Sequence, residues 1–213
     1  MEFFRRSTCK PCRLGVFPGT FNPVTVAHMA LAVAALAVVD EVVFVLPRQF
    51  PHKTYSGASF EQRVELLGMA LGDRPRHSVA ASERGLFAEI AAECREAYGP
   101  EIRLSFLCGR DAAERIVNWD YGRSGAHLEM LRQFDLLVAA RGGEYCPPEG
   151  LASSIAHLEM SGAWEHISAS EVRARIGRGE PWEHLVPAAV RRRVGEIYGT
   201  EKRNRPGGCP TDR

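Results

Sequence analysis

The stretch that most restricts the fold is Glu41–Leu46, EVVFVL, in which five apolar residues follow one another and three are β-branched. A strand with one face in water alternates polar and apolar residues. An unbroken apolar run needs cover on both faces. Such strands sit inside parallel sheets, whose neighbours are joined by crossover helices. The flanks supply them. Met29–Val39 is Ala-rich and helical in pattern, and Ser59 with Gln62 has capping-box spacing ahead of a helix through Leu71.

The alternation continues along the chain. Arg13–Pro18, His77–Ala81, Arg103–Cys108 and Asp135–Ala140 read as strands. Leu86–Ala97 and Asp111–Val117 read as helices, Ser168 with Glu171 starts another ending near Gly177, and Pro187 opens a last one through Ile197. Strand and helix in turn predict an α/β fold, a doubly wound parallel sheet with helices on both faces. The 213 residues allow one large domain or two small ones; no second core is visible, so a single domain over residues 13–199 is expected. Residues 1–12 and 200–213 read as disordered tails. Ligands of such sheets bind beyond strand carboxyl ends, where strand order switches. The loops after Pro18, Leu46 and Cys108 are therefore the places to search.

The formal net charge of +1 conceals a gradient. Residues 1–13 carry four basic groups and one acid, residues 173–213 ten and five, and the stretch between thirteen and twenty. Near neutrality argues against a nucleic-acid partner, because phosphate neutralisation needs a basic surplus. Met29–Val39, the longest apolar run at 11 residues, is too short to span a membrane, and the N-terminus lacks a secretory signal core. Six scattered cysteines do not make a secreted disulfide framework; Cys9 and Cys12 form a pair, but no second pair stands at zinc spacing. A cytoplasmic protein without a membrane or metal role for its cysteines is expected.

Common signatures are absent. No G-x-x-x-x-G-K-[ST] occurs, no G-x-G-x-x-G follows a strand, and neither H-E-x-x-H nor G-x-S-x-G is present. What remains is a set of short pieces, each with an ordinary structural reading beside the functional one. After the first strand comes Pro18-Gly19-Thr20-Phe21-Asn22-Pro23-Val24-Thr25-Val26-Ala27-His28. Gly19 lets backbone approach a ligand, and Thr25 and His28 share one face of a helix start. A helix N-terminus at a strand's carboxyl end favours phosphate, and a His donor there can offset charge on a phosphoryl oxygen. Otherwise Thr25 is a plain cap and His28 an ordinary half-buried histidine.

Lys53, in Pro51-His52-Lys53, is the one lysine between Lys10 and Lys202. It is either a mobile point charge for phosphate or a solvated loop group. Gly109-Arg110-Asp111 follows RLSFLC, and Asp111 can accept ribose hydroxyls or cap a helix. Trp119, ten residues past Gly109, is a stacking surface or a half-buried core residue. Ser168, Ser170 and Arg173 put two hydroxyls and a guanidinium at a helix start, where capping alone also explains Ser168.

In order and spacing, the G-T-F-N-P-x-T-x-x-H loop, the P-H-K loop, the G-x-D with its later Trp, and the I-S-x-S-x-x-R helix together resemble the nucleotidyltransferase superfamily. Within it the chain is similar to the nicotinate or nicotinamide mononucleotide adenylyltransferases over residues 13–199. The resemblance implies a Rossmann-like fold. It also implies transfer of AMP from ATP, accompanied by Mg²⁺, to a pyridine mononucleotide, releasing pyrophosphate and making the dinucleotide of NAD biosynthesis. Carried to matching positions, it implies His28 as the main catalytic side chain, with Thr25, Lys53 and Arg173 on the phosphates. Gly19, Thr20, Phe21, Gly109, Asp111, Ser168, Ser170 and Arg141 would face ATP; Trp119 and Asn22 would face the pyridine nucleotide. The implied partners are these small molecules, and a homo-oligomer stays open.

Departures exist. Thr25 stands where many members have His, Ala27 where Gly is usual, and Ser82–Phe87 reads SERGLF where bacterial nicotinate enzymes carry a Ser-Tyr-Thr stretch. They keep two alternatives in view: another nucleotidyltransferase, such as one acting on phosphopantetheine, and a catalytically silent nucleotide-binding regulatory module.

Overall fold

Sheet and helices alternate as the apolar pattern requires. The computed structural model describes residues 1–49, 57–118, 126–139, 145–148, 150–159, 164 and 166–199. The strands are β1 (Glu2–Arg5), β2 (Arg13–Pro18), β3 (Glu41–Pro47), β4 (His77–Ser82), β5 (Arg103–Gly109), β6 (Asp135–Ala139) and β7 (Ile155–His157). The helices are α1 (Val26–Ala35), α2 (Phe60–Leu71), α3 (Phe87–Tyr98), α4 (Arg110–Asn118), α5 (Ala126–Leu131), α6 (Ala169–Arg178) and α7 (Arg191–Gly199).

The strands form one sheet in the order β1-β4-β3-β2-β5-β6-β7. All neighbours are parallel except β1, which runs antiparallel to β4 at the edge. From β2 the chain builds outward through β3 and β4, then returns to build the other way through β5, β6 and β7. Both faces are covered, in one domain with a Rossmann-like arrangement. β3 is buried along its whole length. Val42, Phe44 and Leu46 feed the core under α1, α2, α6 and α7, while Val43 and Val45 feed the core under α3, α4 and α5. Each such large side chain contributes about 1.5–3 kcal/mol of burial, which explains why this run tolerates no polar interruption.

The sheet's switch point lies between β2 and β5. Val16 pairs with Phe106, so the chain leaves the sheet at Pro18–Gly19 and at Gly109 from neighbouring strands. The crevice between diverging crossovers opens there.

The structure corrects the reading of residues 1–12 as a tail. Glu2–Arg5 is an edge strand of alternating exposure. Phe3 meets the Tyr98 ring edge-on at 5.7 Å, and the Met1 ammonium lies 3.3 Å from Glu93. Beyond β1, the Ser7 N–H donates to Ser78 Oγ and the Cys9 thiol to Glu41 Oε2 at 3.0 Å. Fully buried Glu41 also accepts from Ser78 Oγ at 2.6 Å and the Tyr98 hydroxyl at 2.7 Å. Burial and this carboxylate push the Tyr98 phenol pKa up. A four-residue strand whose exposed positions are Glu2 and Phe4 carries too little pattern to be seen in sequence.

Smaller differences follow the same logic. The helix expected at Met29–Val39 begins at its Thr25 cap and ends at Ala35, with a turn over the next residues. α5 and β7 were not expected. Before α7, a 3-10 turn at Ala188–Val190 takes the place of the helical start read at Pro187.

Candidate active site

Thr25 is the N-cap of α1, in extended conformation, and is fully buried. Its Oγ1 accepts the His28 N–H at 3.3 Å, and its own N–H donates to His28 Nδ1 at 3.0 Å. The two residues therefore satisfy each other in a reciprocal capping box, with Oγ1 and Nδ1 also 2.9 Å apart. An Nδ1 that accepts a backbone N–H leaves the proton of a neutral imidazole on Nε2. His28 thus presents a fixed N–H donor at the helix start. The first turn of α1 carries no acidic residue, so the positive end of its dipole is not neutralised.

The loop that delivers this cap is held from several sides. Phe21 has φ +46° and is buried against Phe17, Phe44 and the His28 ring, at centroid distances of 5.3, 5.4 and 5.2 Å. Its ring folds back over Gly19, where a Cβ would lie 2.9 Å from the Phe21 ring. The glycine that the sequence assigned to ligand approach is thus required by packing. The Phe21 side chain is buried in the core and is not open to a ligand.

Asn22 needs a similar correction. It is 4% exposed, and its Oδ1 accepts from the Ala58 N–H at 3.3 Å and from the Tyr198 hydroxyl. A side chain so engaged does not reach out to a pyridine ring. Behind it, Gly57 has φ +115°, and a Cβ there would lie 2.7 Å from Asn22 Nδ2.

Ser168 caps α6, its Oγ accepting the Glu171 N–H at 3.1 Å. The reciprocal half of the expected capping box is missing, because Glu171 turns to Arg175 at 2.6 Å. One turn into α6, Arg173 donates through Nη1 to the Asn22 carbonyl and through Nη2 to Ser170 Oγ at 3.3 Å. Residues 151 positions apart are thereby joined, and the start of α6 is brought to the Thr25–His28 loop. On the other side, Arg63 of α2 is buried and donates Nη1 to the Thr20 carbonyl at 3.0 Å. Its only sequence signal was its place four residues after the Ser59 cap.

At the neighbouring strand end, Gly109 has open space where a Cβ would point, and Asp111 is exposed in the first turn of α4. Lys53, Trp119 and Arg141 lie outside the described residues.

The cytidylyltransferase-like family model matches residues 16–175. The chain belongs to the cytidylyltransferase-like family. A relative from Chromohalobacter salexigens, named a probable nicotinate-nucleotide adenylyltransferase, is 30% identical over 193 residues, spanning 80% of this chain and 88% of its own. One of the same name from Frankia alni is 32% identical over 174 residues, 76% of this chain and 87% of its own. The solved Plasmodium falciparum nicotinic acid mononucleotide adenylyltransferase complexed with NaAD shares the fold, with a TM-score of 0.64 at 15% identity over 87% of this chain and 97% of that one.

This cytidylyltransferase-like chain is a nucleotidyltransferase, and its site geometry suits one. Loop 18–28 carries no carboxylate. It gathers donors and positive ends instead: His28, the α1 start, Ser170 and Arg173. Such a set can orient and neutralise phosphates in a displacement that is mostly positioning and charge cancellation. Among the described residues no three His, Cys, Asp or Glu side chains are grouped to hold a metal, and no helix is long and apolar enough to cross a membrane.

Proposed function

We propose that this enzyme moves AMP from MgATP to nicotinate mononucleotide, giving the dinucleotide and pyrophosphate. The observation that carries the reading is the Arg173–Asn22 hydrogen bond, which joins the α6 start to the capped α1 start beside the switch in strand order. The curated relatives' shared name supports nicotinate as the acceptor base.

The acceptor's phosphate oxygen attacks the α-phosphorus. The bond from that phosphorus to the bridging α–β oxygen breaks, and its electron pair leaves on pyrophosphate. The nucleophile is already anionic near neutral pH, so no general base is needed. His28 Nε2–H donates to a phosphoryl oxygen as charge develops. Arg173, Ser168, Ser170 and Lys53 hold the outer phosphates, and Thr25 fixes the imidazole. The backbone of Gly19, Thr20 and Phe21 meets the triphosphate. Gly109, Asp111 and Arg141 take the nucleoside side of ATP, and Trp119 stacks on the pyridine ring. Mg²⁺ enters bound to the triphosphate, as part of the substrate. The cytoplasm, which holds both substrates, is the proposed compartment, in a monomer or homo-oligomer.

A pyrophosphate-release assay with MgATP and three acceptors tests this: nicotinate mononucleotide, nicotinamide mononucleotide and phosphopantetheine. Turnover is expected with nicotinate mononucleotide foremost. Preference for either other acceptor would reassign the substrate, and no turnover with any would leave a silent nucleotide-binding module.

A further inference from the structure

The last helix of the described chain reaches into the catalytic loop. Tyr198, in α7, is buried and donates its hydroxyl to Asn22 Oδ1. The same oxygen takes the Ala58 N–H just ahead of α2, and the Asn22 carbonyl takes Arg173 of α6. Three elements distant in sequence thus converge on one residue. A carboxamide that only stabilised the core would not need to sit inside the loop that sets the His28 cap.

The loop's conformation explains the need. Phe21 holds φ +46°, a region that L residues keep only when their surroundings impose it. Its ring is one wall of the His28 imidazole, 5.2 Å away and nearly perpendicular. Three residues past Asn22, the Thr25 N–H lands on His28 Nδ1. Moving Asn22 therefore moves both the ring's neighbour and the donor that fixes its tautomer.

On the adenylyltransferase reading above, we propose that Tyr198 is a positioning residue for the transfer step, acting through Asn22 to hold the His28 imidazole with Nε2–H toward the phosphates. Tyr198 touches no reacting atom in this scheme. Its effect belongs to the geometry of the transition state, and so to kcat.

Tyr198→Phe removes one oxygen and keeps the ring. Expected is a fall in kcat of about tenfold, the scale of a small misplacement of a catalytic group, with KM for both substrates within about twofold. The loss should vanish when His28 is already Ala. The ¹⁵N resonance of His28 Nδ1 should shift as the two neutral tautomers mix. Asn22→Ala removes the acceptor oxygen and should lower kcat by a similar factor, with no further loss when combined with Tyr198→Phe.

An unchanged kcat and imidazole spectrum in folded Tyr198→Phe, whatever its Tm, overturns the proposal; so does a loss that adds fully to that of His28→Ala. Should Tyr198→Phe fail to fold, a parent-like kcat and imidazole spectrum in folded Asn22→Ala overturn it. The spectrum needs no turnover. An inactive parent would therefore refute the functional reading while the imidazole shift still judged the pair.

Discussion

His28 receives the Thr25 backbone N–H on Nδ1 at 3.0 Å and returns its own N–H to Thr25 Oγ1. The bond that starts a helix and the bond that aims an imidazole are one reciprocal pair. Stability and chemistry are therefore coupled at this position.

Loss of the imidazole should cost transition-state charge stabilisation. His28→Ala is expected to lower kcat by roughly 10²-fold, the size seen when one oxyanion donor is removed. Circular dichroism should be unchanged. A parent-like rate would return His28 to the role of a capping partner.

Thr25 separates the hydroxyl from the fold. Thr25→Ala removes the cap, worth about 1 kcal/mol of stability, and lowers kcat as the ring loses a neighbour. Thr25→Ser keeps Oγ and should restore both. Thermal melts beside initial rates check this; a Ser variant as impaired as Ala would show that the methyl, not the hydroxyl, matters.

Arg173 forks between the Asn22 carbonyl and Ser170. Lysine keeps the charge but presents a single point, without the planar fork. Arg173→Lys should therefore lower kcat/KM for ATP by about 10²-fold, as losing an electrostatic donor does. Parent-like kcat/KM would mean that charge alone suffices there.

A pH effect follows from the amino-terminal end of β4, where His77 faces Phe44. His77 is 3% exposed; Nδ1 lies 2.8 Å from the Pro75 carbonyl, and Nε2 has no hydrogen-bond partner among the described residues. Burial foremost, then the charges of Arg74, Arg5 and Arg76, holds its pKa below the usual 6.5. The folded state thus resists a proton that the unfolded chain accepts. The resulting stabilisation is complete above pH 6.5 and is lost as pH falls from there to the depressed folded value. His77→Gln should flatten Tm against pH in that window relative to the parent. Parallel curves would contradict the assignment.

Much of this was legible because it is written locally. The EVVFVL run demanded a doubly covered strand, and Thr25 with His28 had the spacing of one helix face. The rest depends on distance. Phe21 and Asn22 sit in a loop that looked ligand-facing, yet Phe17, Phe44, Ala58 and Tyr198 draw both inward. Arg63 reads as a helix-surface charge until the fold places it under Thr20. The pentapeptide AHLEM makes the point sharply. At 126–130 it is helical, while at 156–157 its first two residues extend β7. Tertiary pairing, not local propensity, decides between them.

The central claim is tested most directly by isolating the product. Purified protein with ATP, Mg²⁺ and nicotinate mononucleotide should form nicotinate adenine dinucleotide and pyrophosphate in equal amounts, faster than the corresponding reaction with nicotinamide mononucleotide. Folded protein that forms no dinucleotide from either mononucleotide would contradict the account.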